Sequence, residues 1–307
     1  AFQYAIDSYY LLDVETNTAY IELANTVGIR HLQSNELNIL KTSTHGVGLQ
    51  IAHALDAGVR SIYIGLGGSA SNDMALGLLE ALGFIFLDSN GALITYSFKN
   101  LSKIHSYELP NSLQKKIQNC SFFAINDVLN PLCGPLGAAN IYGPQKGGSE
   151  ETILAMDGSF EAFVCRFNFP YPCDISLEGG GAAGGTAYGL KAFLNAQFIN
   201  GFDFLASIAC LEDLLVTQKY DCIISGEGSL DNTSFQGKLL GRLIDLTEKH
   251  QLPLLLVCGQ CHFDASALTN THIIELLDEE TPIAQCIAQP FDLIENKVYH
   301  FFKYLLC

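Results

Sequence analysis

Polar side chains in this sequence gather in glycine-rich loops that follow apolar strands. The first loop, GLGGSASND (65–73), comes after the β-branched segment SIYIG and before a stretch with apolar residues at helical spacing. Backbone N–H groups at such a helix start attract an anion, and glycine lets a ligand approach them closely. Six residues supply accessible backbone or polar side chains: Gly67, Gly68, Ser69, Ser71, Asn72 and Asp73. The pattern predicts either a ligand-binding loop or a tight turn capped by Ser or Asn.

The same loop also permits a dinucleotide-binding interpretation. Gly65, Gly67 and Ala70 fit the pattern G-x-G-x-x-A. Asp88 stands about 20 residues further on, where an acidic residue would meet a ribose. This alternative would make the protein an NAD(P)-dependent oxidoreductase.

A second glycine run, EGGGAAGGT (178–186), fits G-x-G-x-x-G through Gly179, Gly181 and Gly184. The segment before the run is a poor strand, so the dinucleotide-binding interpretation is weaker for this run than for the first loop. Such a concentration of small residues indicates that a ligand or another backbone segment comes close. The sequence leaves both alternatives open.

The long segment 126–151 is restrained by prolines and glycines and begins where an apolar strand ends. Asp127 stands at that strand end. Lys146 lies among glycines and is one of only 16 basic residues in the chain. Loops restrained in this way usually hold something specific, although Lys146 would alternatively be an exposed lysine on a turn.

The fourth loop, SGEGSLDNTSFQGK (225–238), again follows a strand. Gly226 offers a backbone N–H group, and Lys238 adds a positive charge. Glu227 and Asp231 are carboxylates of the kind that Mg²⁺ takes as ligands. Alternatively, Asp231 caps the helix that follows.

Other catalytic motifs are absent or thin. The sequence contains no G-x-x-x-x-G-K-[ST], no G-x-S-x-G and no H-E-x-x-H, so we do not expect a P-loop NTPase, an α/β-hydrolase or a zincin. Cys258 and Cys261 form a C-x-x-C pair after a strand. Because no Trp precedes the pair and little chain follows it, thioredoxin-like redox chemistry is a minor alternative.

Apolar strands alternate with helical stripes along the chain. Strands are predicted at 61–65, 84–88, 121–127, 221–225 and 253–259. Three helices are predicted from apolar spacing: Val47, Ile51, Ala54 and Leu55; Ala75, Leu78, Leu79 and Leu82; and Leu190, Phe193, Leu194 and Phe198. This order predicts an α/β protein with a substantially parallel sheet, whose ligands collect at the carboxyl ends of the strands. A composition shift at 203–220 predicts two domains, 1–217 and 218–307.

The composition excludes two classes of partner. The chain has 307 residues, with 16 basic against 32 acidic side chains, a net charge of −16 and a pI of about 4.7. Such a chain has no basic surface for nucleic acid or for anionic lipid. The ten cysteines stand mostly singly, as reduced thiols do. No apolar run approaches the ~18 residues of a membrane span and no signal peptide is evident, so we expect a cytoplasmic protein.

Four loops in this order resemble the bacterial type I glycerate kinase family, from about Thr42 to Gly259. IGLGGSASND is similar to the family's I-G-I-G-G-S-A-T-N-D, and NPLCGPLGAANIYGPQKG to its N-P-L-C-G-P-x-G-A…G-P-Q-K-G. GGGAAGG resembles G-A-A-G-G, and SGEGSLDNTSFQGK resembles T-G-E-G-x-x-D…G-K. The segments ELANTVGI and KTSTHGVG match weaker family positions.

The resemblance implies ATP-dependent phosphorylation of D-glycerate with Mg²⁺, and we favour 2-phosphoglycerate as the product. It also implies a flavodoxin-like domain with a second, mixed α/β domain inserted in it, and it leaves a homo-oligomer open. We expect 1–217 to be the mixed α/β domain that carries the glycine-rich loops, and 218–307 to be the C-terminal part of the flavodoxin-like domain. Phosphoryl transfer needs positioned phosphates and neutralised charge more than a strong nucleophile. From this chemistry and from loop position we expect cofactor contacts from Gly67, Gly68, Ser69, Asn72, Lys146, Gly181, Gly184 and Gly226. We expect catalytic roles for Asp127, Asp73 and Lys238, the two carboxylates as candidate bases, and metal binding by Glu227 and Asp231.

The chain departs from the family pattern at its start. The family opens with a D-S-F-K-G-S loop and a D-G-G-E-G-T loop, and neither occurs here. We therefore expect an N-terminally short kinase with an incomplete flavodoxin-like sheet, or a relative that binds nucleotide or hydroxy acid with impaired catalysis. Four guanidinium groups remain to replace the family's missing lysine: Arg30, Arg60, Arg166 and Arg242.

Overall fold

The computed structural model describes residues 5–231, 234, 239–262, 268–278 and 281–305. The chain forms two compact units, Ala1–Asn200 and Gly201–Cys307. The composition shift at 203–220 therefore lies at the beginning of the second unit. The compact units divide after Asn200. The predicted domain boundary between 217 and 218 lies within the second unit, and it stays a prediction.

The first unit is built on a five-stranded sheet with the order β1-β2-β3-β6-β7. Its strands, with the separate pair β4 and β5, are β1 Leu11–Asp13, β2 Thr18–Glu22, β3 Ser61–Gly65, β4 Ile85–Leu87, β5 Ser106–Glu108, β6 Ser121–Ile125 and β7 Gln197–Ile199. Strand β1 is antiparallel to β2, and the other neighbours are parallel. Side chains alternate between the two faces of a strand, so Ile62 and Ile64 enter the core while Tyr63 stacks between Tyr20 and Phe123 on the other face.

Among residues 5–200, seven α-helices cover this sheet or join its strands. They are α1 Ala24–Val27, α2 His45–Asp56, α3 Leu76–Leu82, α4 Asn111–Gln118, α5 Ala138–Tyr142, α6 Glu150–Arg166 and α7 Ala182–Leu194. Helices α2 and α3 lie so close that a Cβ atom on Gly48 would stand 2.2 Å from the Leu78 carbonyl oxygen. This close packing fixes the start of α3, to which the first glycine-rich loop leads.

The second unit contains a parallel three-stranded sheet with the order β10-β9-β8. Its strands are β8 Ile223–Leu230, β9 Leu254–Cys261 and β10 Thr271–Glu275. Its helices are α8 Gly201–Ile208, α9 Leu211–Thr217, α10 Leu239–His250, α11 Ile283–Ala288 and α12 Pro290–Leu305. Its small core joins Leu240 and Leu243 of α10 to Leu254 and Leu256 of β9. No helix among the described residues is long and apolar enough to cross a bilayer.

The predicted α/β class with parallel sheet is confirmed, and one predicted detail is wrong. The segment 84–88 contains the predicted strand, β4, which pairs antiparallel with β5 outside the main sheet. Phe198 lies in β7 and not in the helix predicted from its spacing. The reason is Asn195, which adopts a left-handed φ of 54° and ends α7 at Leu194.

Candidate active site

The glycine-rich loop 66–75 and the restrained loop after β6 leave the sheet at the same edge. Strands β3 and β6 are parallel neighbours with Gly65 opposite Ile125. The Leu66 N–H donates to the Ile125 carbonyl oxygen at 3.1 Å, which joins the starts of the two loops. The carboxyl ends of parallel strands are where α/β proteins bind ligands, so this edge is the candidate active site.

The tip of the first loop is open to solvent. Gly67 and Gly68 are exposed, and a Cβ atom on Gly67 would meet nothing within 4 Å. Gly68 has a left-handed φ of 68°, and its carbonyl oxygen accepts a hydrogen bond from the Ile29 N–H at 2.9 Å. The backbone at the tip is therefore held in place and accessible, as a phosphate-binding backbone must be.

Asp127 is exposed immediately beyond β6, at the same edge. One of its carboxylate oxygens accepts a hydrogen bond from Asn200 Nδ2 at 2.9 Å. Asn200 follows β7, and the Asn126 N–H donates to the Ile199 carbonyl oxygen at 3.0 Å, so the backbone beside both side chains is fixed. Asp127 is thus an oriented carboxylate within reach of a ligand.

Asp73, the other candidate base, is fully buried. Its Oδ2 accepts hydrogen bonds from the Thr44 N–H at 2.8 Å, the Thr44 hydroxyl at 2.9 Å and the Gly77 N–H at 3.3 Å. The Thr44 hydroxyl in turn accepts from the Leu78 N–H at 2.9 Å. One carboxylate therefore caps the N-termini of α2 and α3 together. Burial raises the pKa of Asp73, which these hydrogen bonds partly oppose.

Lys146 is buried as well, with only 3% of the residue exposed. Its Nζ donates to Ser69 Oγ at 2.8 Å and to the Ser71 carbonyl oxygen at 2.7 Å. Burial lowers the pKa of Lys146 to about 7, although the charge of Asp73 opposes the shift. The alternative of an exposed lysine on a turn is therefore wrong, and this side chain contacts the first loop from its buried side.

The pKa of Lys146 predicts a pH-dependent stability. Since the folded-state pKa is about 7 and the ordinary value is 10.5, the unfolded chain holds the proton more tightly between these pH values. The free energy of unfolding should therefore rise with pH from about 7 to 10, by up to about 1.4 kcal/mol per pH unit. Urea unfolding at pH 7 and 9 measures the rise. It should shrink in Lys146→Met and persist in Lys103→Met, an exposed lysine; equal rises in all three proteins would contradict the prediction.

The second glycine run meets protein backbone. A Cβ atom on Gly181 would stand 2.3 Å from the Pro131 carbonyl oxygen. Gly184, with a left-handed φ of 66°, would place a Cβ atom 2.2 Å from the Ser71 carbonyl oxygen and 2.4 Å from Asn72 Oδ1. Asn72 is itself buried, with Nδ2 directed at Met156 Sδ at 2.7 Å. Close chain packing accounts for the small residues, and cofactor binding by Gly181, Gly184 and Asn72 stays a prediction.

The dinucleotide interpretation does not fit the structure. A dinucleotide fold needs the strand that carries the acidic residue to lie in the same parallel sheet as the glycine loop. Asp88 instead follows β4, and its Oδ1 accepts hydrogen bonds from the N–H groups of Asn90 and Ala92 in a turn. Residues 126–196, all described, contain no strand that precedes the second glycine run. The oxidoreductase alternative is therefore wrong.

The remaining predicted residues lie in the second unit. Gly226 and Glu227 are exposed on β8 and line a pocket of about 690 Å³. Apart from Ser225, Glu227 and Gln260, its lining residues are glycine or apolar. Such a lining suits an apolar or aromatic group better than a phosphate chain.

Metal binding by Glu227 and Asp231 stays a prediction. Glu227 lies on β8, and Asp231 follows the last residue of that strand, Leu230. Asp231 Oδ1 accepts the Ser234 N–H at 3.2 Å, as a capping carboxylate does. Among the described residues no three His, Cys, Asp or Glu side chains group as metal ligands, and Lys238 lies outside those residues.

Thr44 and Asn200 are site residues that sequence reasoning missed. Thr44 directly precedes the apolar stripe of α2, which is the position of a helix cap and was a usable signal. Asn200 is recognisable only when β7 is known to end beside β6.

Three comparisons with known proteins indicate the same family over nearly the whole chain. The profile of the Glycerate kinase family matches residues 1–306. Glycerate 2-kinase of Escherichia coli (strain K12) is 32% identical over 254 residues, which cover 82% of this chain and 65% of that protein. Glycerate kinase of Bacillus subtilis (strain 168) is 32% identical over 276 residues, 90% of this chain and 71% of that protein.

A solved structure named for glycerate kinase 2 of Salmonella typhimurium LT2 superposes with a TM-score of 0.71 at 30% identity, covering 94% of this chain and 75% of that chain. The chain thus spans 65 to 75% of the lengths of these three relatives. Sequence and structure agree: the chain belongs to the glycerate kinase family.

Proposed function

We propose that the protein transfers the γ-phosphoryl group of ATP to the 2-hydroxyl of D-glycerate, giving 2-phosphoglycerate and ADP. The observation that carries the proposal is the exposed edge where Asp127 and the Gly67–Gly68 backbone leave adjacent parallel strands. The choice of hydroxyl rests on the name of the Escherichia coli relative.

We expect Asp127 to act as the general base in this reaction. Its carboxylate would accept the proton of the glycerate hydroxyl while the new O–P bond forms and the bond to ADP breaks. The exposed N–H groups at Gly67 and Gly68 would meet the phosphates. Mg²⁺ would enter with ATP and supply charge neutralisation.

The cytoplasm is the proposed site of the reaction, supported by nine free cysteines in the described part of the chain.

The test is coupled ADP release with Mg-ATP and D-glycerate, run with this chain. We expect ADP release that requires D-glycerate and stops with EDTA, and phosphorus NMR should distinguish 2- from 3-phosphoglycerate. ADP release that does not depend on D-glycerate would contradict the proposal. If no ADP is released while Mg-ATP still binds, the alternative of a binding relative with impaired catalysis would be favoured.

A further inference from the structure

The loop after β3 is open on one side and buried on the other. Its tip at Gly67 is exposed, whereas Ser69 and Ser71 are 8% and 0% exposed. Lys146 contacts the loop from the buried side, through Ser69 Oγ at 2.8 Å and the Ser71 carbonyl oxygen at 2.7 Å. The ammonium group is therefore enclosed beneath the loop. A ligand from solvent would reach the loop at its exposed tip.

We propose that Lys146 is a positioning residue of the phosphoryl-transfer site. Its two contacts hold Ser69 and Ser71, and so present the exposed backbone of Gly67 and Gly68 to a phosphate-bearing ligand that Lys146 itself does not touch. This inference rests on the proposed function for the identity of the ligand. It replaces the expected direct contact between this lysine and the cofactor.

The backbone that carries Lys146 is itself fixed. Lys146 ends the helical turn Pro144–Lys146, and its N–H donates to the Gly143 carbonyl oxygen at 3.0 Å. Gly147 follows with a left-handed φ of 84°, and a Cβ atom there would stand 2.3 Å from the Leu37 carbonyl oxygen. The turn is thus held against a neighbouring segment, and a fixed base is what a positioning side chain requires.

The chemistry of the amine suits this role. A neutral amine carries two N–H donors and an ammonium group three, so either form satisfies both acceptors. The Asp73 carboxylate belongs to the same loop and favours the charged form. Without Lys146 the buried Ser71 carbonyl loses a hydrogen bond and Ser69 loses its partner, and buried polar groups in that condition favour a shifted, hydrated loop.

Hydrogen exchange tests the positioning step independently of turnover. In Lys146→Met at pH 7, the amides of the buried residues 69–71 should exchange at least tenfold faster than in the wild-type protein. The exposed Lys103→Met is the matched control and should exchange like the wild type. Unchanged exchange in folded Lys146→Met would overturn the proposal, whether or not the protein proves to be a glycerate kinase.

Kinetics test the functional step. The KM for Mg-ATP should rise about tenfold in Lys146→Met while the KM for D-glycerate stays within about twofold. Ser69→Ala, a milder change, should raise the KM for Mg-ATP a few fold. The double variant should be no worse than Lys146→Met, because the two side chains act as one unit. An unchanged KM for Mg-ATP, a rise confined to D-glycerate, or additive effects would each overturn the proposal; a silent wild-type enzyme would refute the proposed function instead.

Discussion

Replacement of Asp127 by Asn should lower kcat with Mg-ATP and D-glycerate by about 10²- to 10⁴-fold, because an amide cannot accept the hydroxyl proton. The change is nearly isosteric, and the amide oxygen can still accept the hydrogen bond from Asn200 Nδ2. Since Asp127 is exposed, the free energy of unfolding should stay within about 0.5 kcal/mol of the wild-type value. Steady-state kinetics and urea unfolding of the same preparation provide both measurements.

Asp245→Asn is the matched control for this prediction. Asp245 is an exposed carboxylate in α10 of the second unit and is not one of the candidate site residues, so its removal should leave kcat unchanged. Asn200→Ala should give an intermediate loss of about tenfold, because it removes the side chain that orients Asp127 but keeps the carboxylate. A wild-type kcat in Asp127→Asn would exclude Asp127 as the base.

Asp127 and Asp73, the two candidate bases, differ in their access to solvent. Asp127 is exposed, and Asn200 Nδ2 donates a hydrogen bond to its carboxylate, so a substrate hydroxyl can reach it. Three donors from Thr44 and Gly77 converge on Asp73, which is fully buried. A general base must come within hydrogen-bond reach of its proton, which favours the exposed Asp127 over the buried Asp73 as the proposed base.

Local patterns in the sequence were sufficient for the elements that carry the site. The alternating apolar residues of 61–65 predict β3, and the apolar spacing that ends at Gly83 predicts α3. Both signals depend on residues within a few positions of one another. The carboxyl-edge location of the loops follows from the parallel order of the strands, which the alternation of strands and helices also predicts.

The burial of the polar residues could not be predicted in the same way. The buried Asp73 accepts a hydrogen bond from Thr44, which lies 29 residues earlier, and Lys146 reaches Ser69 and Ser71 across more than 70 residues. Contacts at such separations leave no periodic trace in the sequence. The position of Asp88 outside the main sheet could not be predicted for the same reason. Asp88 follows β4, and β4 pairs with β5, a strand about 20 residues later in the chain.

Gly184→Ala should lower the free energy of unfolding by about 4 kcal/mol, the sum of a strained backbone and an overpacked contact. The residue has a left-handed φ of 66°, which Ala adopts only at a cost. Its new methyl group would stand 2.2 Å from the Ser71 carbonyl oxygen, a backbone atom that cannot rotate away. Because Ser71 also receives the Lys146 hydrogen bond, relief of the clash would displace the loop that ends in the Gly67–Gly68 tip.

Gly58→Ala separates the two costs. Gly58 also has a left-handed φ, of 84°, but a Cβ atom there would meet nothing within 4 Å. This variant should lose only about 1 kcal/mol, the cost of backbone strain alone. Urea unfolding of both variants gives the difference, which measures how tightly the second glycine run is packed against the first loop. Similar losses in the two variants would mean that Ser71 and Asn72 can move aside. Close packing against the backbone would then not explain the glycine at position 184, and the approach of a ligand would be the remaining explanation.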